Sequence, residues 1–270
     1  MRRLGRLVMV FVLLAVDAAG QGMGDCSDCH RSVAESFSRS AMSRAAINPV
    51  FLAEWRDKGH DPACLGCHAP STAAGVACVD CHGPGGHPYA PVAVPDTCGR
   101  CHDAPGEVTV RSFRDSSAAR NGKTCLDCHL GGNQSHVFIG PSDPAYLRDV
   151  ASLRLALAGD RLMVAIRHRA GHSLPGGTTG RAAWLVVQGR DGAGAITWQE
   201  RRRFGWLNAE SVWQDNTLPP DRGVMIEIEN PGLADSVEVT ARLLYSRRAG
   251  VEPDSGTGFQ ELSRATMILR

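Results

Sequence analysis

The sequence predicts an α+β protein: an N-terminal part of short helices and loops, followed by a small antiparallel β-sandwich. Three observations carry this reading. All ten cysteines fall between Cys26 and Cys128. They are spent entirely on five copies of one five-residue pattern. Beyond residue 150 the cysteines stop and apolar residues alternate with polar ones, the period of a half-buried strand.

The five copies are Cys26-Ser27-Asp28-Cys29-His30, Cys64-Leu65-Gly66-Cys67-His68, Cys78-Val79-Asp80-Cys81-His82, Cys98-Gly99-Arg100-Cys101-His102 and Cys125-Leu126-Asp127-Cys128-His129. Two cysteines three apart on a turn can each add to one vinyl group of a haem, and the next residue then lies beneath the iron, where His supplies the proximal nitrogen. Disulfides suit ten cysteines in an exported chain, but do not explain a His after each pair. With 10 histidines in 270 residues, five such coincidences have odds on the order of 10⁻⁷. Zinc would also leave the fixed His unexplained, and five redox-active dithiols in a row would be unusual. The expected cofactors are five covalently bound haems c, with His30, His68, His82, His102 and His129 as proximal ligands.

Residues 24–144 are expected to form the haem domain. Gly, Pro, Asp, Ser and Thr dominate long stretches of it, such as Gly83-Pro84-Gly85-Gly86. Such a segment buries little side-chain core of its own. The N-terminal part is therefore expected to be haem-packed, and largely unfolded without its cofactors.

Residues 145–270 are expected to form the sandwich, with the boundary between Gly140 and Asp149. Stretches 152–157 and 161–168 flank an Ala158-Gly159-Asp160 turn, a hairpin signal. Leu162, Val164, Ile166 and His168 share one face. Stretches 181–188 and 195–201 flank a turn containing Asp191-Gly192. Val224, Ile226 and Ile228 alternate with Met225, Glu227 and Glu229, and Val237, Val239, Ala241 and Leu243 with Glu238, Thr240 and Arg242. Six or so such strands suit a small sandwich.

Residues 1–20 read as a secretory signal: basic Arg2, Arg3 and Arg6, an apolar run over 7–16, then small Ala18, Ala19 and Gly20. The run is short for a bilayer span, which takes about 20 residues, so no transmembrane span is expected after cleavage. Losing Arg2, Arg3, Arg6 and Asp17 moves the formal charge from +1 to −1, and each haem would add two propionates. An acidic surface does not suit nucleic acid. A periplasmic or extracellular setting, with other redox proteins of the periplasm or outer surface as partners, is expected.

Five irons leave five distal positions. The remaining histidines are His60, His87, His136, His168 and His172. His60 precedes the second motif, His87 follows the third in a Gly- and Pro-rich loop, and His136 follows the fifth. His172 lies in Ala170-Gly171-His172-Ser173-Leu174-Pro175-Gly176-Gly177, presented on a loop at a strand end, or else capping a tight turn. His168 lies on an apolar strand face and reads as a core histidine. Met42, on a helix expected over 33–44, is a thioether candidate that would raise the potential of its iron, or a gap-filler in the core. The distal candidates are therefore Met42, His60, His87, His136 and His172.

The haem part resembles the cytochrome c554 family. The resemblance runs through Cys64-Leu65-Gly66-Cys67-His68-Ala69-Pro70, then Gly75-Val76-Ala77-Cys78-Val79-Asp80-Cys81-His82-Gly83-Pro84-Gly85 with His87 after it, and Cys26–His30 followed by Ser36-Phe37 and Ser40-Ala41-Met42. It covers about residues 24–140. It implies closely packed haem pairs, mostly bis-His iron, and electron transfer between periplasmic partners. Members often have His where Met42 stands, and the four-haem namesake has one iron without a strong distal ligand. The His172 loop is similar to an Ala-Gly-His-x-x-Pro-Thr-Gly segment of larger multihaem cytochromes, with Gly176 in place of Thr.

Three functions follow from this pattern. The leading one is an electron carrier. A second is an oxidoreductase acting on a small nitrogen or oxygen species at one five-coordinate haem. A third is a subunit of a larger extracellular or membrane-linked complex, with Trp206 and Trp213 as partner-surface or core aromatics.

Overall fold

The computed structural model describes residues 24–84, 88–104, 106–130, 135–177, 180–209, 212–229, 231–248, 250–253 and 258–269. The expected signal at 1–20 and the distal candidate His87 lie outside the described residues. Helices occupy the first half and antiparallel strands the second, so the chain is α+β.

The described residues form ten helices, all short: α1 Gly24–Cys29, α2 Arg31–Ser38, α3 Pro49–Asp57, α4 Leu65–His68, α5 Cys78–His82, α6 Asp96–His102, α7 Thr109–Arg114, α8 Ser117–Arg120, α9 Cys125–His129 and α10 Pro144–Leu147. Local chemistry starts several of them. The Asn48 side chain accepts from the Val50 N–H and Pro49 opens α3, while Asp143 and Pro144 do the same for α10, the preferred residues for those positions. Asp80 and Asp127, inside two of the motifs, accept from the backbone N–H of Ala77 and Thr124 (2.6 and 2.7 Å) and so cap their own helices.

The helix expected over 33–44 ends at Ser38, and residues 39–47 are turns. Serine hydroxyls compete with the helix for its backbone partners. Ser40 Oγ accepts from Ser43 N–H (3.0 Å) and Ser43 Oγ donates to the Ser40 carbonyl (3.0 Å). Met42 therefore sits in a turn, half-buried, and its carbonyl accepts from Val76 N–H (3.0 Å). Gly75 is required at this crossing, because a Cβ there would lie 2.5 Å from the Met42 carbonyl oxygen.

The strands are β1 Ala151–Ala158, β2 Arg161–His168, β3 Ala182–Arg190, β4 Ile196–Ala209, β5 Val212–Asn216, β6 Val224–Glu229, β7 Glu238–Ser246 and β8 Phe259–Ile268. They form a three-stranded sheet in order β1-β2-β6 and a five-stranded sheet in order β5-β4-β3-β7-β8. All strand pairings among the described residues are antiparallel. Leu162, Val164, Ile166 and Ile228 of the first sheet share one core with Leu185, Val187, Val239, Ala241 and Leu243 of the second. Each fully buried residue of this kind contributes about 1.5–3 kcal/mol, so the sandwich carries its own core.

The helical part has much less. Phe37, Ala46, Phe51, Ala77, Val110 and Phe113 are its buried apolar side chains among the described residues up to 143. Leu147 of α10 instead joins the sandwich core. No helix among the described residues is long and apolar enough to cross a membrane.

The sandwich packs directly on the helices. Ser117, at the start of α8, gives Asp221 both its backbone N–H and its hydroxyl, the latter at 2.6 Å. Arg120 pairs with the same carboxylate at 3.4 Å. Ser173 N–H donates to Ser112 Oγ (3.1 Å) and Gly177 N–H to Thr109 Oγ1 (3.2 Å). The loop between β2 and β3 is thereby sewn onto α7.

Candidate metal centres

In four motifs the histidine is the last residue of a short helix: His68 on α4, His82 on α5, His102 on α6 and His129 on α9. His30 directly follows α1 and starts α2. One helical turn thus holds each cysteine pair and sets its histidine beside it. None of the ten cysteines is in a disulfide; Cys29 and Cys128 are exposed and the other eight half-buried. No three of His, Cys, Asp and Glu converge among the described residues as a bare metal ion would need.

Two histidine pairs come together across the fold. His172 and His129 have ring centroids 6.3 Å apart and planes within 16°. His136 and His82 have centroids 6.4 Å apart and planes within 28°. Two metal–imidazole bonds of about 2 Å each, with ~1.1 Å from each nitrogen to its ring centre, separate centroids by about 6.2 Å. The centroid distances of both pairs match that spacing.

Each ring of the first pair has a carbonyl partner at Nδ1. His129 Nδ1–H donates to the Ile139 carbonyl (2.8 Å), and His172 Nδ1–H to the Ser173 carbonyl (2.8 Å). That fixes the tautomer and leaves Nε2 on each ring as the lone-pair nitrogen, the arrangement seen around metal-bound histidines. The protein atoms crowding His172 push its pKa down to about 4, against backbone help from Ser173. Burial likewise lowers His82, with His136 and His30 adding to the effect. Both rings are neutral at pH 7, as ligation requires. Gly176 also finds its reason here: a Cβ would sit 3.0 Å from His172 Cε1 and 3.1 Å from Thr109 Oγ1.

His136 is held by its backbone N–H, which donates to Ser36 Oγ (3.1 Å), and by Phe138, edge-on at 5.8 Å. His60 is exposed, with a left-handed φ of 61°. It meets Trp55 edge-on at 4.8 Å; Trp55 stacks on Phe51, and Phe51 on His68 at 3.9 Å. Two aromatic rings thus stand between His60 and His68 in this stack. His168 Nε2 faces the Leu218 and Pro219 carbonyls of its own domain (3.1 and 2.8 Å). Trp206 is half-buried; the Trp213 side chain lies outside the described residues.

Two further motif histidines have Nδ1 partners. His68 faces the Ala45 carbonyl at 3.2 Å. His102 faces a carboxylate, Glu107 Oε1, at 2.9 Å, an interaction that sequence reading did not anticipate.

Cysteines of different motifs lie side by side: Cys26 beside Cys78, Cys67 beside Cys101, and Cys98 beside Cys125. Arg100 Nη1 reaches the Asp80 carbonyl (3.4 Å). The first motif is thus beside the third, the second beside the fourth, the third beside the fourth, and the fourth beside the fifth.

Known proteins fit this picture. No protein-family model matches the chain. It is 32% identical over 97 residues to "Cytochrome c-554" of Nitrosomonas europaea, covering 27% of this chain and 41% of that relative. The match thus spans less than half of the relative's length. The fold is similar to that of a penta-heme cytochrome c552 from Thermochromatium tepidum, with a TM-score of 0.69, 17% identity, and coverage of 90% of this chain and 97% of that one. The chain therefore shares, helices and sandwich together, the fold of a solved five-haem cytochrome c.

Proposed function

We propose that this chain is an exported electron carrier that binds five haems c. Each haem is attached through one cysteine pair, with His30, His68, His82, His102 and His129 as proximal ligands. His136 serves opposite His82, and His172 opposite His129. The observation that carries this reading is the pair of facing imidazole couples, each spaced for one iron and each built on a motif histidine. When bound, haem supplies a one-electron iron couple whose potential follows its axial ligands and surroundings.

The chain's own residues do the rest. Ile139 and Ser173 carbonyls hold the axial rings in one tautomer. Phe37 and Phe138, edge-to-face at 6.2 Å, wall the His136 side with apolar surface. Contacts between motifs place the second, third and fifth beside the fourth, and the first beside the third, so that all five sites form one connected set. The exposed cysteines, Cys29 and Cys128, belong to the first and fifth motifs, at opposite ends of the row through the third and fourth. Those ends suit exchange with redox proteins of the periplasm or outer surface. Export is supported by the basic, then apolar, start of the chain.

Electron paramagnetic resonance of the oxidised holoprotein tests the reading. At least two low-spin bis-imidazole centres are expected. Five centres without one such signal would overturn the assignment of His136 and His172.

A further inference from the structure

We propose that Glu107 is a positioning residue for His102 that lowers the potential of the iron of the fourth motif. The inference rests on the haem reading above and goes beyond it, by naming a residue that sets the potential of one site.

The contact arises locally. His102 ends α6, and a turn follows in which Glu107 N–H donates to the Ala104 carbonyl (2.9 Å), with Gly106 at a φ of 77°. Glycine takes this left-handed conformation without steric cost. The turn folds the Glu107 side chain back onto the imidazole that precedes it by five residues, with Oε1 2.9 Å from Nδ1. The Glu107 side chain is 14% exposed and that of His102 50%, so the carboxylate is the shielded partner of the two. Thr109 Oγ1 approaches the same oxygen at 3.4 Å and itself accepts from Gly177 N–H. The loop bearing His172 therefore buttresses the turn that bears Glu107. Arg181 donates to the Arg247 carbonyl (2.7 Å).

The consequence is chemical. His129 and His172 give their Nδ1 protons to neutral carbonyls, and His68 Nδ1 faces one. A carboxylate acceptor draws that proton more strongly, makes the opposite nitrogen a better donor and adds a nearby negative charge. Both effects favour ferric over ferrous iron. The fourth motif is also where the contacts from the second, third and fifth motifs meet. A lowered potential there favours passing an electron on to a neighbour over holding it at the junction.

The test uses full-length holoprotein, with haem content per chain read first. Potentiometric titration of Glu107→Gln beside the unaltered protein follows. One of five potentials should rise, by a tenfold change in the ferric-to-ferrous ratio or more, about 59 mV for a one-electron couple; Glu107→Asp should give a smaller shift. Five haems with no potential moved, or all five moved together, would overturn the inference and leave the haem reading intact. Fewer than five haems in the unaltered protein would instead count against that reading. Where the variants fail to mature, paramagnetic nuclear magnetic resonance of the unaltered protein decides. The His102 ring should show more imidazolate-like nitrogen shifts than the His129 ring, whose Nδ1 partner is a carbonyl, and equal shifts overturn the proposal.

Discussion

His172, on a loop of the β-sandwich, faces His129, the last residue of a cysteine-bearing helix, with ring centroids 6.3 Å apart and planes within 16°. The sandwich therefore brings a histidine of its own up to a histidine of the fifth motif. Serine, threonine and glycine residues tie this loop to α7, so the ring's position is set from both sides.

His172→Ala should convert one of five irons from low to high spin and leave the others unchanged. His136→Ala should do the same to a different iron, and the double variant should show two high-spin centres. Electron paramagnetic resonance of the oxidised proteins reads the count. No change in spin state would remove that histidine from the ligand set.

Gly75→Ala should destabilise the helical part. Its Cβ would lie 2.5 Å from the Met42 carbonyl oxygen and 2.7 Å from the Ala45 nitrogen, and those neighbours are backbone. Overpacking of this kind costs roughly 1–3 kcal/mol. A lower denaturant midpoint of the holoprotein, followed in the haem absorbance, is the measurement.

The β part was legible in the sequence where one face is buried and the other wet. Leu162, Val164 and Ile166 alternate with half-buried or exposed partners as expected, and so does the core stretch of β7. Two strands were not legible. β8 is an edge strand in which Leu262 is the one buried residue, so its apolar period is faint. β5 is short and lies at the opposite edge. Strand β4 runs eight residues past its expected end at Arg201, because it pairs first with β3 and then with β5.

In the candidate sites, the motif spacing was legible because covalent haem attachment would demand it. The facing of His172 and His136 onto particular motifs was not, because it depends on folding across 43 and 54 residues, the separations from His129 and His82. The Glu107 contact lacked any motif; its one local signal was Gly106, just before it.

Asp221→Ala should loosen the sandwich from α8. The carboxylate accepts from Ser117 N–H and Oγ and pairs with Arg120, and these interactions hold its pKa below the usual range. The site is partly exposed, so the loss should be on the order of 1 kcal/mol. Faster hydrogen exchange at residues 116–120, with the sandwich core unchanged, is the expected signature.

Stability should fall as pH drops below about 6.5, the unfolded value for histidine. Burial lowers the folded pKa of His168, partly countered by the Leu218 and Pro219 carbonyls and by Asp221. Its buried Nδ1 has no hydrogen-bond partner among the described residues. The unfolded chain thus binds a proton that the folded chain resists, so stability rises with pH between the folded and unfolded values and is level above them. His168→Gln should flatten that slope in denaturant titrations at pH 5.5 and 7.5.

The mass of the denatured protein, produced in a host that matures c-type cytochromes, tests the whole account most directly. Thioether-bound haem survives unfolding, so the chain should carry five haem masses. A chain at its bare polypeptide mass, or one shedding all pigment on denaturation, would contradict it.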